Sequence, residues 1–237
     1  MTIRKSINSA RAKFYNIVTN YHFIKKSSII VITVYLTLLL IAVMIATIWG
    51  PYGYTIWTHM ISDLGGSSYT PTPFIFDIAC IFAGIMTIPL TFYVENLFAP
   101  LPSRKNLREI HFSRLRFRLG SNAFFFSLMG NLAYIFVGIF SEDRNYPLLD
   151  FASFHDVFSF FSFTGFALGA FFIGWIVLLY DTKIPKLFGI YGIIGPVSIL
   201  FAFLYTMEAL WEWILLFSIL LWIIPLVFLM LRKSELK

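Results

Sequence analysis

Six stretches of this 237-residue chain are apolar enough and long enough to cross a lipid bilayer as helices. A hydrocarbon core about 30 Å thick needs roughly 20 apolar residues of α-helix to span it. The stretches cover residues 28–49, 74–97, 117–140, 154–180, 186–206 and 211–231. We therefore predict an all-α integral membrane protein, built as a bundle of six transmembrane helices.

The composition excludes a soluble protein. Hydrophobic residues make up 59% of the chain and charged residues 13%, whereas a soluble domain has roughly 45–50% and about 25%. So few charges could not cover a water-facing surface. The first stretch begins after a 27-residue tail and lacks a small-residue cleavage site. It is therefore predicted to be a span and not a cleaved signal peptide.

The distribution of basic residues predicts the orientation in the membrane. All of the 18 lysines and arginines except Arg144 fall in the two termini or in the loops after the second and fourth spans. By the positive-inside rule, both termini are cytoplasmic. The predicted segments are a cytoplasmic tail, 1–27, a six-span membrane domain, 28–231, and a cytoplasmic C-terminal tail, 232–237. The net charge of +6 is thus a property of the cytoplasmic face, and we expect no nucleic-acid partner.

The N-terminal tail has a helical pattern of its own. Basic residues alternate with apolar ones at helical spacing, the latter being Ile3, Ile7, Ala10, Phe14, Ile17 and Tyr21. This pattern predicts a basic amphipathic helix on the cytoplasmic leaflet, with anionic lipid as its partner. A loosely ordered tail that only sets the topology is an equal alternative. We predict that the protein lies in the cell membrane.

Small and polar residues form stripes at helical spacing within the second to fifth spans. The stripes are Asp77, Cys80, Gly84, Thr87 and Thr91; Ser127, Asn131, Tyr134 and Gly138; His155, Ser159, Ser162, Gly165 and Gly169; and Tyr191, Gly195, Ser198, Ala202 and Tyr205. Such residues allow close approach and hydrogen bonding between helices, so we interpret most of them as packing positions. A carboxyl group in the first turns of a span needs a partner or water. Asp77 is therefore also a candidate functional residue.

The predicted outer side is acidic and carries two of the four histidines. Its polar residues are His59, Ser62, Asp63, Glu142, Asp143, Asp150, His155, Asp156, Glu208 and Glu212. The segment 54–64 is predicted to form a short helix that ends at Gly65 and Gly66. On such a helix, His59 and Asp63 lie one turn apart.

Several kinds of chemistry fit this outer cluster. A metal ion, if one is present, would use two histidines and two carboxylates, namely His59, His155, Asp63 and Asp143. A serine nucleophile at Ser62 lacks the Gly-x-Ser-x-Gly pattern. A polar pocket, or a fixed polar network that orders the loops, needs no special geometry. We expect no resident metal and no cofactor.

One segment resembles a family signature. Ile61-Ser62-Asp63-Leu64-Gly65, followed by Pro71, Pro73 and Phe76, resembles the Ile-Ser-Asp-x-Gly…Pro…Phe pattern of the damage-regulated autophagy modulator family, which includes GPI-anchor lipid-remodelling factors. The chain is also similar to the prokaryotic membrane family known as domain of unknown function 998. That family's Gly-x-Phe-x-x-Asp…His element resembles the run from Gly138 to Asp143, followed by His155. The resemblance extends over roughly residues 28–231.

The resemblance implies a six-helix bundle with cytoplasmic termini and an association with membrane-lipid homeostasis, without a settled reaction. It implies motif positions at Ser62, Asp63, Gly65, Asp143 and His155. The chain departs from the autophagy-modulator pattern after Pro73, where Phe74 stands in place of an acidic residue.

Three hypotheses about function follow. The leading one is an outer polar pocket that recognises a lipid headgroup or small ligand, lined by Ser62, Asp63, Asp77, Asn131, Asp143 and His155. The second is a metal-assisted, membrane-embedded lipid hydrolase or transferase. The third is a proton-coupled carrier in which Asp77 and His155 titrate. Whether the protein is an enzyme stays open at this point.

Overall fold

The computed structural model of the chain describes residues 2–99, 107–144, 147–149 and 152–234. Six of its helices are long and apolar enough to cross a membrane, so the predicted all-α bundle of six spans is confirmed. The helices are α1 (Thr2–Val18), α2 (Tyr21–Trp49), α3 (Phe74–Phe98), α4 (Leu107–Ile139), α5 (Phe154–Leu179), α6 (Lys186–Thr206) and α7 (Ala209–Ser234).

The N-terminal tail is helical, and the first span begins inside it. The side chain of Asn20 accepts a hydrogen bond from the backbone N–H of Phe23 (3.2 Å). This cap lets α2 begin at Tyr21 and not at residue 28. α1 lies against the end of α3, where Phe14 and Tyr15 contact Phe92 edge to face. The position of α1 on the cytoplasmic leaflet stays a prediction.

Consecutive helices of the bundle pack against each other from α2 to α7, and α7 also contacts α5 and α2. The glycines on α3, α4 and α5 allow close approach, as predicted. A methyl group added at Gly165 would lie 2.5 Å from the backbone nitrogen of Gly130, and one added at Gly84 would lie 2.6 Å from Ile135. The stripe predicted on α6 is only partly a packing face, because Ser198 is exposed and Tyr205 is 92% exposed.

The two ends of the bundle differ. The loops after α2, α4 and α6 lie at one end, which we call the long-loop end, and the start of α2 and the end of α7 lie at the other, the terminal end. At the terminal end, basic side chains donate hydrogen bonds to the free carbonyl groups of helix C-termini. Lys186 Nζ donates to the carbonyls of Val177 (2.6 Å), Leu178 (3.0 Å) and Tyr180 (2.7 Å) at the end of α5. Such cations stabilise free carbonyls and the negative end of the helix dipole.

Arg116 has the same role for α3. Its guanidinium donates to the carbonyls of Leu97 and Phe98 (both 3.3 Å) and lies over the ring of Tyr180, 5.5 Å from its centroid. Part of the basic excess therefore has a structural role. Arg104 and Lys105, in the same predicted loop, lie outside the described residues.

The long-loop end is covered by residues 50–73 and 140–144, which we call the cap. The short helix predicted over 54–64 is wrong: this segment forms turns, followed by a 3-10 helix at Ser62–Gly65. Side chains compete with helical hydrogen bonds there. The Tyr54 hydroxyl donates to the Met60 carbonyl, and an Asp63 carboxylate oxygen accepts from the Met60 N–H (both 2.8 Å).

The second long loop leads into α5. It contains a 3-10 helix, Glu142–Arg144, and a two-stranded ribbon of β1 (Pro147–Leu149) and β2 (Ala152–Ser153). Ser153 and Asp156 then form a capping box that starts α5. Asp150, one of the predicted acidic outer residues, lies outside the described residues.

We expect the long-loop end to face the outside of the cell. Cys80 is the single cysteine of the chain and is buried, so a Cys80→Ala background is free of thiols. A membrane-impermeant maleimide is expected to label Trp57→Cys, at a position that is 68% exposed, on intact cells. Lys183→Cys, in the exposed loop between α5 and α6, should react only after permeabilisation. Labelling in the opposite order would reverse the predicted orientation.

Candidate functional site

The first long loop is fastened to the beginning of α7. Glu212 is buried, and its Oε2 accepts a hydrogen bond from the backbone N–H of Ile61 (2.6 Å). The indole N–H of the next residue, Trp213, donates to the carbonyl of His59 (3.2 Å). Glu212 is not among the predicted site residues. It carries the same signal as Asp77, a carboxyl group in the first turn of a span.

The two long loops are joined by Asp143. Its Oδ1 accepts hydrogen bonds from the backbone N–H of Ser67 (2.8 Å) and from the Ser67 hydroxyl (2.9 Å). Gly66 lies directly beside Glu142, because a methyl group added there would be 3.3 Å from the Glu142 Cγ. Asp143 is exposed, and in this position it holds the cap together.

The family-like segment rests on the start of α3 and on the second long loop. A methyl group added at Gly65 would lie 3.2 Å from Oδ1 of Asp77 and 3.4 Å from Cβ of Ser141, so this position favours glycine. His155 is buried, and its Nδ1 donates to the carbonyl of Phe140 (2.7 Å). The structure thus brings the motif positions of both long loops into one region of the cap.

The histidines take different structural roles. The ring of His59 stacks on Tyr54 (5.2 Å between centroids) and contacts Tyr69 edge to face (5.6 Å). Its Nδ1 lies 2.8 Å from the Thr58 hydroxyl. Within the described part of the chain, no three His, Cys, Asp or Glu side chains gather in a way that could hold a metal ion. The predicted ligand set of His59, His155, Asp63 and Asp143 therefore gains no geometric support.

Burial disfavours the ionised form of two carboxyl groups in the cap. It raises the pKa of Asp63, against the opposing effects of the Met60 N–H and of His59 and His155. Burial also raises the pKa of Glu142, to which Asp63, Asp156 and Asp143 add repulsion, while His155 opposes the shift. The folded cap consequently binds protons more tightly than the unfolded loops do.

We expect the cap to be more stable at about pH 5 than at neutral pH. A carboxyl whose pKa is raised by folding binds more protons in the folded state, so stability falls as the pH rises from the ordinary carboxyl range through the raised values. Thermal unfolding in detergent between pH 5 and 8 measures this slope. Asp63→Asn keeps an acceptor for the Met60 N–H and should flatten the slope. Stability that rises steadily with pH would contradict the expectation.

A cavity of about 130 Å³ lies between α2, α3, α4, α5 and α7. Most of its lining is apolar, including Ile32, Ile173 and Trp222. Its main polar feature is Asn131, whose Nδ2 donates to the Thr91 hydroxyl (2.8 Å) and whose Oδ1 accepts from the Thr87 hydroxyl. Asn131 therefore lies inside the bundle and links α3 to α4.

Ser28 also borders the large cavity, on α2 towards the terminal end. It is 1% exposed, and its hydroxyl has no hydrogen-bond partner among the residues that the structure describes. The neighbouring Ser27 differs, since its hydroxyl donates to the Ile24 carbonyl (3.2 Å). The large cavity thus contains one buried polar group whose bonding is incomplete.

A smaller cavity of about 20 Å³ lies beneath the cap. Its polar lining includes Ser62, Ser159 and Glu212. Four residues border both cavities: Tyr134, Ser162, Phe163 and Leu216. Among the six predicted ligand-binding residues, Ser62 borders the small cavity and Asn131 the large one. Asp63 and Asp143 accept hydrogen bonds from the loop backbone, His155 donates to it, and Asp77 packs against Gly65.

Comparisons with family models, with curated proteins and with solved structures found no match to this chain. The two families whose motifs the chain resembles therefore stay a proposal. The function has to be inferred from the chain's own geometry, in which a polar cap and a small cavity lie above an apolar cavity inside six membrane-spanning helices.

Proposed function

We propose that this multi-pass membrane protein binds a membrane lipid. A hydrocarbon chain occupies the large cavity, and the hydrogen-bonding headgroup lies at the cap, near Ser62 and Glu212. The observation that carries the proposal is the pair of cavities with a shared wall, one within the bundle and a smaller one beneath the cap that Ser62, Ser159 and Glu212 border. An amphipathic lipid has two corresponding parts, a hydrocarbon chain for the large cavity and a polar headgroup for the cap.

The energetics favour hydrocarbon as the occupant. An empty apolar cavity destabilises a protein by about 24 cal/mol per Å³, so a cavity of about 130 Å³ corresponds to about 3 kcal/mol. A lipid chain recovers these lost van der Waals contacts. It also arrives from an apolar phase, because the surrounding bilayer is hydrocarbon, so no hydration has to be removed.

The cap favours a headgroup that can donate hydrogen bonds. Glu212 and the three serines of the small cavity offer carboxyl and hydroxyl oxygens, and the nearby Asp63 and Glu142 add acidic groups. A cavity of about 20 Å³ holds a group the size of a water molecule, for which about 10–15 Å³ is the lower limit. A hydroxyl or amine of the headgroup fits these dimensions.

Three further parts of the proposal rest on the sequence: the link to lipid homeostasis, the location and the anionic lipid partners. Lipid binding agrees with the association with membrane-lipid homeostasis that the family resemblance implies, and the cell membrane is the proposed location. Anionic lipids of the cytoplasmic leaflet are the proposed partners of α1, whose described side chains include Arg11 and Lys13, with Phe14 and Ile17 exposed beside them.

Native mass spectrometry of the protein, released from detergent after purification from membranes, tests the proposal. We expect a fraction of wild-type molecules to carry one lipid. Ser28→Leu fills one end of the large cavity and removes a hydroxyl that has no described partner, so it should lower this fraction. The control is Ser198→Leu, at an exposed position on α6, which should carry as much lipid as wild type.

Lipid-free wild-type protein, or equal occupancy in Ser28→Leu and wild type, would overturn the proposal. The metal-assisted hydrolase and the proton-coupled carrier stay predictions. Metal analysis of the purified protein tests the first, and a flux assay in proteoliposomes with Asp77→Asn tests the second.

A further inference from the structure

The seam between α2 and α7 is closed at both ends. At the long-loop end, the first loop bridges it through the hydrogen bonds of Glu212 with Ile61 and of Trp213 with His59. At the terminal end, the Tyr21 hydroxyl donates to the carbonyl of Leu231 (3.4 Å). There, Ile24 of α2 also belongs to one buried cluster with Val227 and Leu231 of α7.

Between these closures, the wall of the large cavity reaches the lipid-facing surface. The bordering residues on α2 include Ile32 and Leu36, and those on α7 include Leu220 and Ile224. Leu36 is 38% exposed, and the other three are partly exposed. All four lie near the middle of their spans, so the seam meets the bilayer at its apolar centre.

The walls of the cavity between α3 and α4 and between α4 and α5 are closed by tight packing. α3 and α4 are joined by the hydrogen bonds of Asn131 with Thr87 and Thr91. α4 and α5 approach so closely at Gly130 and Gly165 that no methyl group fits between them. A molecule in the bilayer therefore meets the cavity along the α2–α7 seam.

We infer that a lipid acyl chain enters the large cavity sideways from the bilayer, between the middle parts of α2 and α7. This inference rests on the proposed lipid binding and adds the route and the part of the lipid that enters. An apolar cavity of roughly 150 Å³ accommodates benzene, so one of about 130 Å³ holds a chain segment of roughly six carbons. The occupant is the end of one flexible chain, while the headgroup of the same lipid lies at the cap.

Photo-crosslinking in vesicles tests this route. The protein is reconstituted into phosphatidylcholine vesicles that contain a phosphatidylethanolamine, whose ammonium group can donate hydrogen bonds, with a diazirine at the end of one acyl chain. We expect adducts in the α5 peptide that contains Ala170 and Ile173, which border the cavity and are 2% and 4% exposed. Adducts at Ile194 of α6, which is 58% exposed, report labelling from the bilayer and serve as the reference.

Matched variants of α2 distinguish the route from lipid binding itself. Leu36→Trp narrows the seam and should slow α5 labelling, relative to α6, by about tenfold, the effect of a barrier higher by about 1.4 kcal/mol. Leu36→Ala widens the seam and should accelerate it. Leu40→Trp, one turn further along α2 at a position that is 60% exposed, should match wild type. If Leu36→Trp does not fold, Leu36→Ala provides the same test in the opposite direction.

The outcomes separate the two proposals. Absence of α5 adducts in the wild-type protein would overturn both the route and the lipid binding. Unchanged α5 labelling in Leu36→Trp and Leu36→Ala, together with reduced lipid occupancy in Ser28→Leu, would overturn the sideways route and leave the lipid binding standing.

Discussion

Replacement of Glu212 by alanine is expected to detach the first long loop from α7 and to lower the free energy of unfolding by about 2–3 kcal/mol. Glu212 is 3% exposed and accepts the backbone N–H of Ile61, which is 4% exposed. Alanine leaves this buried donor without its partner, and an unsatisfied buried donor costs about 1–3 kcal/mol. The truncated side chain also leaves a void beside the small cavity.

Thermal unfolding in detergent measures this effect. In a chain of this size, each kcal/mol shifts the midpoint by about 2–4 °C, so Glu212→Ala should unfold several degrees below wild type. Glu212→Gln keeps an oxygen acceptor and should lose less. Glu208→Ala, at an exposed position just before α7, is the matched control and should not change the midpoint. A Glu212→Ala protein as stable as wild type would show that the loop does not depend on this carboxyl.

Glu212→Ala is also expected to affect lipid binding. Glu212 borders the small cavity, and its hydrogen bond closes one end of the α2–α7 seam. We therefore expect Glu212→Ala to lose headgroup contacts at the cap. Glu212→Gln, which preserves the closure, separates loss of the carboxyl group from loss of the loop's position.

The spans could be predicted because the bilayer imposes one requirement on every residue that crosses it. Backbone groups must bond internally and side chains must be apolar, which leaves a strong hydropathy signal. The loop from residue 50 to residue 73 has no such constraint. Its path depends on particular bonds, such as that of Tyr54 with Met60 and that between Ser67 and Asp143 in the other loop. Helical periodicity cannot detect bonds of this kind, so the predicted helix over 54–64 was wrong.

The candidate site could be predicted only in part, for a related reason. Family-like motifs drew attention to Ser62 and His155, and both lie in or directly beneath the cap. Asn131 was grouped with them by its polarity, although it lies near the middle of the predicted span 117–140 and bonds with Thr87 and Thr91. Its depth in the membrane could have been predicted from that position in the span. The apolar cavity left no sequence signal, since its lining resembles any buried helix face.

Replacement of Gly165 by alanine is expected to force α4 and α5 apart. The added methyl group would lie 2.5 Å from the nitrogen of Gly130, 2.6 Å from its Cα and 2.7 Å from the carbonyl oxygen of Phe126. These are backbone atoms, so no change of rotamer relieves the clash, and the helices have to separate. Overpacking of this kind costs about 1–3 kcal/mol, and we expect the upper part of that range.

Gly195→Ala is the matched control for this prediction. The three atoms nearest to its methyl group all belong to the ring of Tyr191 on the same helix. A side chain moves more easily than backbone, so the unfolding midpoint of Gly195→Ala should fall less. Separation of α4 and α5 would also open a second path to the large cavity. Gly165→Ala should therefore restore photo-labelling of α5 in the Leu36→Trp protein. A Gly165→Ala variant with wild-type stability and no restored labelling would mean that α4 and α5 tolerate the methyl group without separating.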